Sequence, residues 1–112
     1  MNYIKVQDKS RKINLAVDEI MRIEAMSSYS RLFLSNGKIY IVAKVLHWFE
    51  SRLPDEMFTR VHRSHLVNKM FIAKIKGNRS KALFLFNGES IAISRSKNMM
   101  MMKQYNNLVV LN

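Results

Sequence analysis

Alternation of hydrophobic and polar residues is the main feature of the N-terminal part of the chain. Residues 3–7 alternate in this way, and residues 12–17 repeat the pattern. In an extended strand, such alternation places every second side chain on the same face. Asp18 and Glu19 then indicate a tight turn before a further apolar run at residues 20–23. The pattern therefore predicts successive β-strands.

Two Asn-Gly pairs predict two β-hairpins. Asn36-Gly37 lies between the apolar runs 31–34 and 38–42, and Asn87-Gly88 lies between the runs 81–86 and 90–93. Both residues of such a pair tolerate positive φ angles, so the pair is a strong hairpin signal between two apolar runs. Two hairpins in a chain of 112 residues favour a mainly antiparallel β protein.

Two stretches are predicted to be helical. Residues 43–53 carry Leu46, Phe49 and Leu53 at helical intervals, and Pro54 ends the pattern. Residues 95–106 form the second stretch, with Ser94 suited to cap the N-terminus. We therefore expect an elongated, mainly β domain of short antiparallel sheets with two short helices, occupying residues 1–112 as a single domain.

The composition is that of a globular protein without disulfides. Hydrophobic residues make up 48% of the chain, which is enough for a core, and Cys is absent, which excludes disulfides and thiolate metal sites. No apolar run approaches the roughly 20 residues of a membrane span, and the N-terminus does not resemble a secretory signal. A cytoplasmic location is therefore expected.

Positive charge is concentrated in the second half of the chain. The formal net charge is +11, and residues 57–112 hold ten Lys and Arg against a single acid, Glu89. Such an excess of positive charge indicates the kind of binding partner rather than the fold. It favours nucleic acid, an anionic membrane surface or an acidic protein.

The segment 58–68 combines apolar anchors with basic and hydrogen-bonding residues. Phe58, Val61 and Leu66 are suited to hold it on a core, so that the segment can present Arg63 and Ser64 to an anionic partner. The planar guanidinium of Arg fits a phosphate or the acceptor edge of guanine. A solvated loop between strands explains the composition of this segment equally well.

Two further segments carry similar chemistry. Residues 93–97 place Arg95 and Lys97 at the start of the second predicted helix, where free backbone amides attract phosphate. Residues 27–31 form a polar loop of hydroxyls and one Arg. Taken alone, an exposed basic turn and a plain connecting loop are the better explanations of these two segments.

The order of these segments closely resembles the LytTR DNA-binding domain family. The likeness covers residues 4–103 and is most specific in Phe58-Thr59-Arg60-Val61-His62-Arg63-Ser64-His65-Leu66-Val67-Asn68, followed by Ile91-Ala92-Ile93-Ser94-Arg95. The resemblance implies short antiparallel sheets whose loops, rather than a recognition helix, enter successive major grooves on one side of double-stranded DNA. It also implies the output domain of a response regulator in a bacterial two-component system, either free-standing or as part of a longer chain.

The resemblance also implies roles for individual residues. Arg63 and Arg95 fall on base-contacting positions, and Ser30 falls where some relatives carry a base-reading His, although its shorter side chain reaches less far. Asn68 matches a structural position and is expected to bond local backbone. Supporting or backbone-contacting roles fall to a larger set: Tyr29, Arg31, Lys44, His62, Ser64, Ser96 and Lys97.

Two Arg–guanine contacts of about 1–3 kcal/mol each give one domain only modest specificity. We therefore expect two copies on repeated half-sites, with a homodimer as one form of that assembly. No cofactor, metal, membrane partner or small-molecule substrate is expected.

Parts of the sequence also suggest three functions other than DNA binding. His62 and His65, with Glu89 as the only acid downstream, suggest a nuclease or metal site, but residues three apart on one strand point to opposite faces and a third ligand is missing. An RNA or single-strand binding module needs exposed aromatic residues, whereas the phenylalanines here mostly occupy core-like positions. A protein-interaction module is suggested by Met99–Met102 and the apolar tail 108–111.

Overall fold

The computed structural model describes residues 2–78 and 80–95 together with the short strand at residues 110–111. The principal extents are 45 × 28 × 23 Å, so the domain is elongated as expected. Its described strands, in chain order, are β1 Tyr3–Asp8, β2 Arg11–Ala16, β3 Ile20–Ala25, β4 Ser30–Leu34, β5 Ile39–Val42, β6 Phe58–His62, β7 His65–Asn68, β8 Ile72–Lys76, β9 Ala82–Leu85, β10 Ser90–Ala92 and β11 Val110–Leu111.

The described strands form three sheets. A two-stranded sheet pairs β1 with β2, and a five-stranded sheet has the order β5-β4-β3-β7-β6. A third sheet has the order β10-β9-β8-β11, in which β11 runs parallel to β8 and the other pairs are antiparallel. The predicted mainly β, largely antiparallel fold is confirmed.

The five-stranded sheet lies between two hydrophobic cores. One core joins it to β1, β2 and the single described α-helix, α1 Leu46–Glu50, and includes the fully buried Phe49, Ile23 and Leu32. The other core joins it to the third sheet through Val67, Ile75 and other buried side chains. Alternation along β3 and β7 supplies apolar side chains to both faces, so the central sheet is covered on each side.

Both Asn-Gly hairpins form, but with a different turn from the one expected. Only the glycine of each pair, Gly37 and Gly88, has a positive φ. The backbone N–H of Gly37 donates to Leu34, and the side chain of Asn36 accepts from the N–H of Lys38 at 2.9 Å. This is a type I turn followed by a left-handed glycine, in which Asn acts through its side chain rather than through its own φ.

The first helix is shorter than the predicted span 43–53. The backbone of Val45 is extended, and Lys44 folds back on strand β5 through a hydrogen bond to the carbonyl of Val42. After Glu50 the chain continues in turns up to Pro54. The second predicted helix, 95–106, lies outside the described residues except for Arg95.

Candidate nucleic-acid interface

The segment 58–68 is a β-hairpin formed by β6 and β7, with Arg63 and Ser64 at its turn. Phe58, Val61 and Leu66 are buried, which confirms their predicted role as anchors. Arg63 is exposed at the turn. The hairpin therefore fixes the backbone of Arg63 on the core while its side chain extends into solvent.

Arg60 braces the turn that carries Arg63. Its Nε donates to the carbonyl of His62 at 3.0 Å, and its Nη2 donates to the carbonyl of Arg63. Its Nη1 lies 2.7 Å from Oε1 of Glu50 at the end of α1. The planar fork of one guanidinium thus joins the last residue of β6 and the first residue of the turn to the helix.

The same turn is joined to the end of β3. The backbone N–H of Ala25 donates to the carbonyl of Ser64 at 2.8 Å, and the next residue, Met26, begins the polar loop that leads to β4. Within that loop the N–H of Met26 donates to the carbonyl of Tyr29 at 2.9 Å. The first polar loop and the central hairpin turn are therefore neighbours in space.

The start of the C-terminal segment is joined to the hairpin from the other side. The backbone N–H of Ser94 donates to the carbonyl of Val61 at 2.9 Å, and the exposed Arg95 follows directly. Chain geometry then keeps the Cα atoms of Arg63 and Arg95 within about 18 Å of each other. Two backbone hydrogen bonds thus bring together three segments that lie far apart in the sequence.

The expected base contact by Ser30 is contradicted by the structure. Ser30 is fully buried, and its hydroxyl donates to the carbonyl of Lys44 at 2.7 Å. A buried hydroxyl that holds a neighbouring carbonyl cannot reach a base. Its role is structural: it joins the start of β4 to the segment before α1.

The other residues predicted around this loop differ in exposure. Arg31 lies opposite Glu24 in the sheet, with Nε 3.9 Å from Oε1, and Tyr29 is half-buried. Lys44 is exposed, with Nζ 5.4 Å from the ring centroid of Trp48. Ser96 and Lys97 lie outside the described residues.

His62 and His65 lie on the same side of the hairpin, contrary to the expectation of opposite faces. They are cross-strand partners with ring centroids 5.4 Å apart, because the turn at residues 63–64 separates them. Nδ1 of His62 accepts the N–H of Ser64 at 3.1 Å, so His62 supports the turn. Within the described ranges, no three His, Cys, Asp or Glu residues are grouped to hold a metal ion.

The surroundings of His65 lower the pKa of its imidazole and so favour the neutral form. Burial lowers the pKa of its imidazole, and the nearby His62 and Arg22 act in the same direction, while Glu24 opposes them. Its Nδ1 is buried and has no hydrogen-bond partner in the described part of the protein. Protonation at that atom would bury an unpaired charge, which is costly.

A partly buried ion pair joins the third sheet to the central sheet. Arg22 of β3 forms two hydrogen bonds with Glu89 of the β9–β10 turn, at 3.2 and 2.9 Å. The guanidinium also lies 3.7 Å from the ring centroid of Phe33. These hydrogen bonds, with a further one from Asn87, lower the pKa of Glu89. The sheet that leads to Arg95 is thereby fixed against the sheet that carries Arg63.

Sequence reasoning missed the residues that position the two arginines. Arg60, Glu50, Arg22 and Glu89 were not predicted to interact, since each pair is distant in the sequence. Asn68 was expected to bond local backbone, and it does accept from the N–H of Met70 at 3.1 Å. It also donates to the carbonyl of Ile20 at 2.9 Å, a contact across the sheet that no local signal indicates.

Comparison with known proteins identifies the family. The model of the LytTr DNA-binding domain matches residues 10–106, which is most of the chain. The chain belongs to the LytTR DNA-binding domain family. The predicted resemblance is therefore confirmed, and the β6–β7 hairpin lies within the matched residues.

Relatives agree with this assignment. The chain is 34% identical over 61 residues to the sensory transduction protein LytR of Streptococcus agalactiae, covering 53% of this chain and 25% of that protein. It is 26% identical over 95 residues to LytT of Enterococcus faecalis, covering 83% and 39%. This LytTR chain therefore spans a quarter to two-fifths of the length of these curated relatives.

A solved structure shows the same LytTR fold. The LytTr DNA-binding domain of a response regulator from Bacillus cereus superposes with a TM-score of 0.80, covering 94% of this chain and 97% of that one. Sequence identity in that comparison is 23%, so it supports the fold alone. In the part of this LytTR chain that the structure describes, no helix is long and apolar enough to cross a membrane.

Proposed function

We propose that this LytTR domain binds double-stranded DNA in a sequence-specific way, as the output module of a bacterial transcription regulator. The observation that carries the proposal is the pair of backbone hydrogen bonds, Ala25 to Ser64 and Ser94 to Val61. They bring the first polar loop, the hairpin turn and the start of the C-terminal segment together, and we infer that these three segments form one DNA-contacting edge. Arg63 and Arg95 are the exposed guanidinium groups of that edge.

Charge at this edge favours an anionic partner. Glu24 lies near Arg31, and Glu50 lies 2.7 Å from Arg60, so both carboxylates are offset by an adjacent arginine. Within the described residues, no carboxylate lies within 4.0 Å of Arg63 or Arg95. Their guanidinium groups are thus available to phosphates or bases, and the net charge of +11 adds long-range attraction.

We assign base reading to Arg63 and Arg95, since an arginine binds guanine through two hydrogen bonds in the major groove. A separation of at most about 18 Å between their Cα atoms lets both reach positions within one helical turn of DNA, which is about 34–36 Å long. Tyr29, Lys44 and Ser64 are assigned to backbone contact or support. Ser96 and Lys97 keep the backbone role that the family resemblance implies.

Competition binding tests this proposal. The chain should prefer a selected duplex over single-stranded DNA and RNA of the same sequence. If about six phosphates are neutralised, the logarithm of the association constant should fall linearly with the logarithm of the salt concentration, with a slope of about −5. A duplex with two half-sites in phase should be bound more tightly than one with a single half-site. Preference for single strands, or equal affinity for all duplexes, would contradict the proposal.

A further inference from the structure

A broad groove lies between the β1–β2 hairpin, strand β5 and helix α1. Its volume is about 880 Å³, within the range of roughly 300–1,000 Å³ typical of small-molecule sites. The lining residues come from three parts of the chain: Lys5, Val6, Gln7, Asp8, Lys9 and Lys12 from the hairpin, Ser28 and Tyr29 from the first loop, and Ile41, Val42, Ala43, Lys44 and Trp48 around β5 and α1.

The lining has an apolar floor and a basic rim. Val6 and Val42 are buried, whereas Ile41 is 50% exposed on the groove wall. Trp48 is half-buried, with Arg52 stacked 4.2 Å from its ring centroid and the ammonium group of Lys44 at 5.4 Å. Moving a hydrocarbon or aromatic group from water onto an apolar floor of this kind is favourable, because apolar surface is removed from water.

The charges of the rim indicate that the ligand is an anion. Four lysines line the groove and Asp8 is its single acid. Among the described residues, none of the four ammonium groups lies within 4.0 Å of a carboxylate. A phosphate backbone would satisfy the lysines but would leave the apolar floor unfilled. A compact anion with an apolar body satisfies both.

We propose that this groove binds a small amphipathic organic anion, with its carboxylate or sulfonate among the lysines and its apolar body against Ile41 and Trp48. Tyr29 and Lys44 line the groove, and both are also assigned to backbone contact or support in the proposed DNA complex. The hydroxyl of Ser30 further joins the start of β4 to the carbonyl of Lys44. An anion bound in the groove therefore competes with DNA for Lys44. This competition, unlike the binding of the anion itself, rests on the proposed function.

The single Trp of the chain reports on the groove directly, because Trp48 lines it. With 8-anilinonaphthalene-1-sulfonate as the probe, excitation of Trp48 in the full chain should give saturable energy transfer to the bound probe. Decanoate should displace the probe. This measurement uses no DNA, so it stays informative if the proposed DNA binding fails.

Strand β5 offers a matched control. Ile39 and Ile41 have the same side chain and similar exposure, 53% and 50%, but only Ile41 lines the groove. Ile41→Glu should raise the dissociation constant of the probe about tenfold through lost apolar contact and added repulsion, whereas Ile39→Glu should change it less than about twofold. Lys12→Glu should weaken binding as well, and Lys38→Glu, outside the groove, should not.

A second arm measures duplex affinity with and without decanoate. Decanoate should weaken duplex binding by the wild type but not by Ile41→Glu. The groove proposal is overturned if energy transfer does not saturate, or if both isoleucine variants bind the probe equally. It is also overturned if Lys12→Glu lowers duplex affinity while no probe binds, since the groove would then be a surface for DNA phosphates.

Discussion

The backbone N–H of Ser94 donates a hydrogen bond of 2.9 Å to the carbonyl of Val61. These residues lie 33 positions apart in the sequence, in the C-terminal segment and in strand β6. Each is followed within two residues by an exposed arginine, Arg95 or Arg63. One main-chain contact therefore sets the relative position of the two side chains that we assign to base reading.

Ser30→Ala tests the structural role of a residue that sequence reasoning placed at a base. The substitution removes the 2.7 Å hydrogen bond to the carbonyl of Lys44. We expect a loss of about 1 kcal/mol in the free energy of unfolding, with unchanged base preference. Urea unfolding and binding-site selection measure the two effects, and Ser28→Ala, at an exposed position of the same loop, is the control. An altered base preference in Ser30→Ala would indicate that Ser30 contacts a base, contrary to this account.

Glu50→Ala tests the brace at the hairpin turn. Without the carboxylate, Arg60 loses its 2.7 Å partner on α1 and holds the carbonyls of His62 and Arg63 less firmly. Because both side chains are partly exposed, stability should fall by only about 0.5–1 kcal/mol. Duplex affinity should fall by roughly threefold to tenfold, as Arg63 becomes less well positioned. Glu56→Ala removes an exposed acid nearby and should leave the affinity at least as high.

Glu89→Gln tests the ion pair between the two sheets. Hydrogen bonding to Arg22 lowers the pKa of the folded carboxyl below its ordinary value of 4.5. Its stabilising effect is therefore present above pH 4.5 and is lost as the pH falls through the lowered pKa. Urea unfolding should show wild type more stable than Glu89→Gln at pH 7, with the difference shrinking toward pH 3. A constant difference across this range would contradict the assignment.

His65→Gln tests the buried imidazole. Burial lowers its pKa in the folded protein below the ordinary value of 6.5, so the unfolded chain takes up a proton first as the pH falls. The wild type should therefore lose stability as the pH falls from about 7 through 6.5 toward the lowered pKa, and His65→Gln should lose less. His47→Gln, at an exposed position, should keep the wild-type pH dependence. Equal slopes for His65→Gln and wild type would contradict the account.

The sequence allowed the hairpins and the anchors to be predicted because those features are local. Asn36-Gly37 and Asn87-Gly88 form turns at the expected positions, although Asn acts through its side chain. The buried Phe58, Val61 and Leu66 follow from apolar spacing. Strand β8 was not predicted, because a register irregularity between Ile72 and Lys74 interrupts its alternation.

The contacts that assemble the candidate site could not be predicted. Ser30 is buried because the segment after β5 passes over it and presents the carbonyl of Lys44. Arg60 reaches the turn carbonyls across an irregularity in β6, between Arg60 and His62, that sequence spacing does not reveal. These contacts depend on which segments become neighbours after folding, whereas hydrophobic periodicity reports only the preference of each segment.

Selection of bound duplexes from a random pool, with the wild type, Arg63→Ala and Arg95→Ala in parallel, tests the central claim most directly. The wild type should enrich a defined sequence, and each arginine variant should lose preference at its own base positions, by about 1–3 kcal/mol per contact. Lys97→Ala, by contrast, should lower affinity evenly across sequences. If the arginine variants also lost affinity evenly, with the enriched sequence unchanged, both residues would contact only the DNA backbone, and the account of base reading would be contradicted.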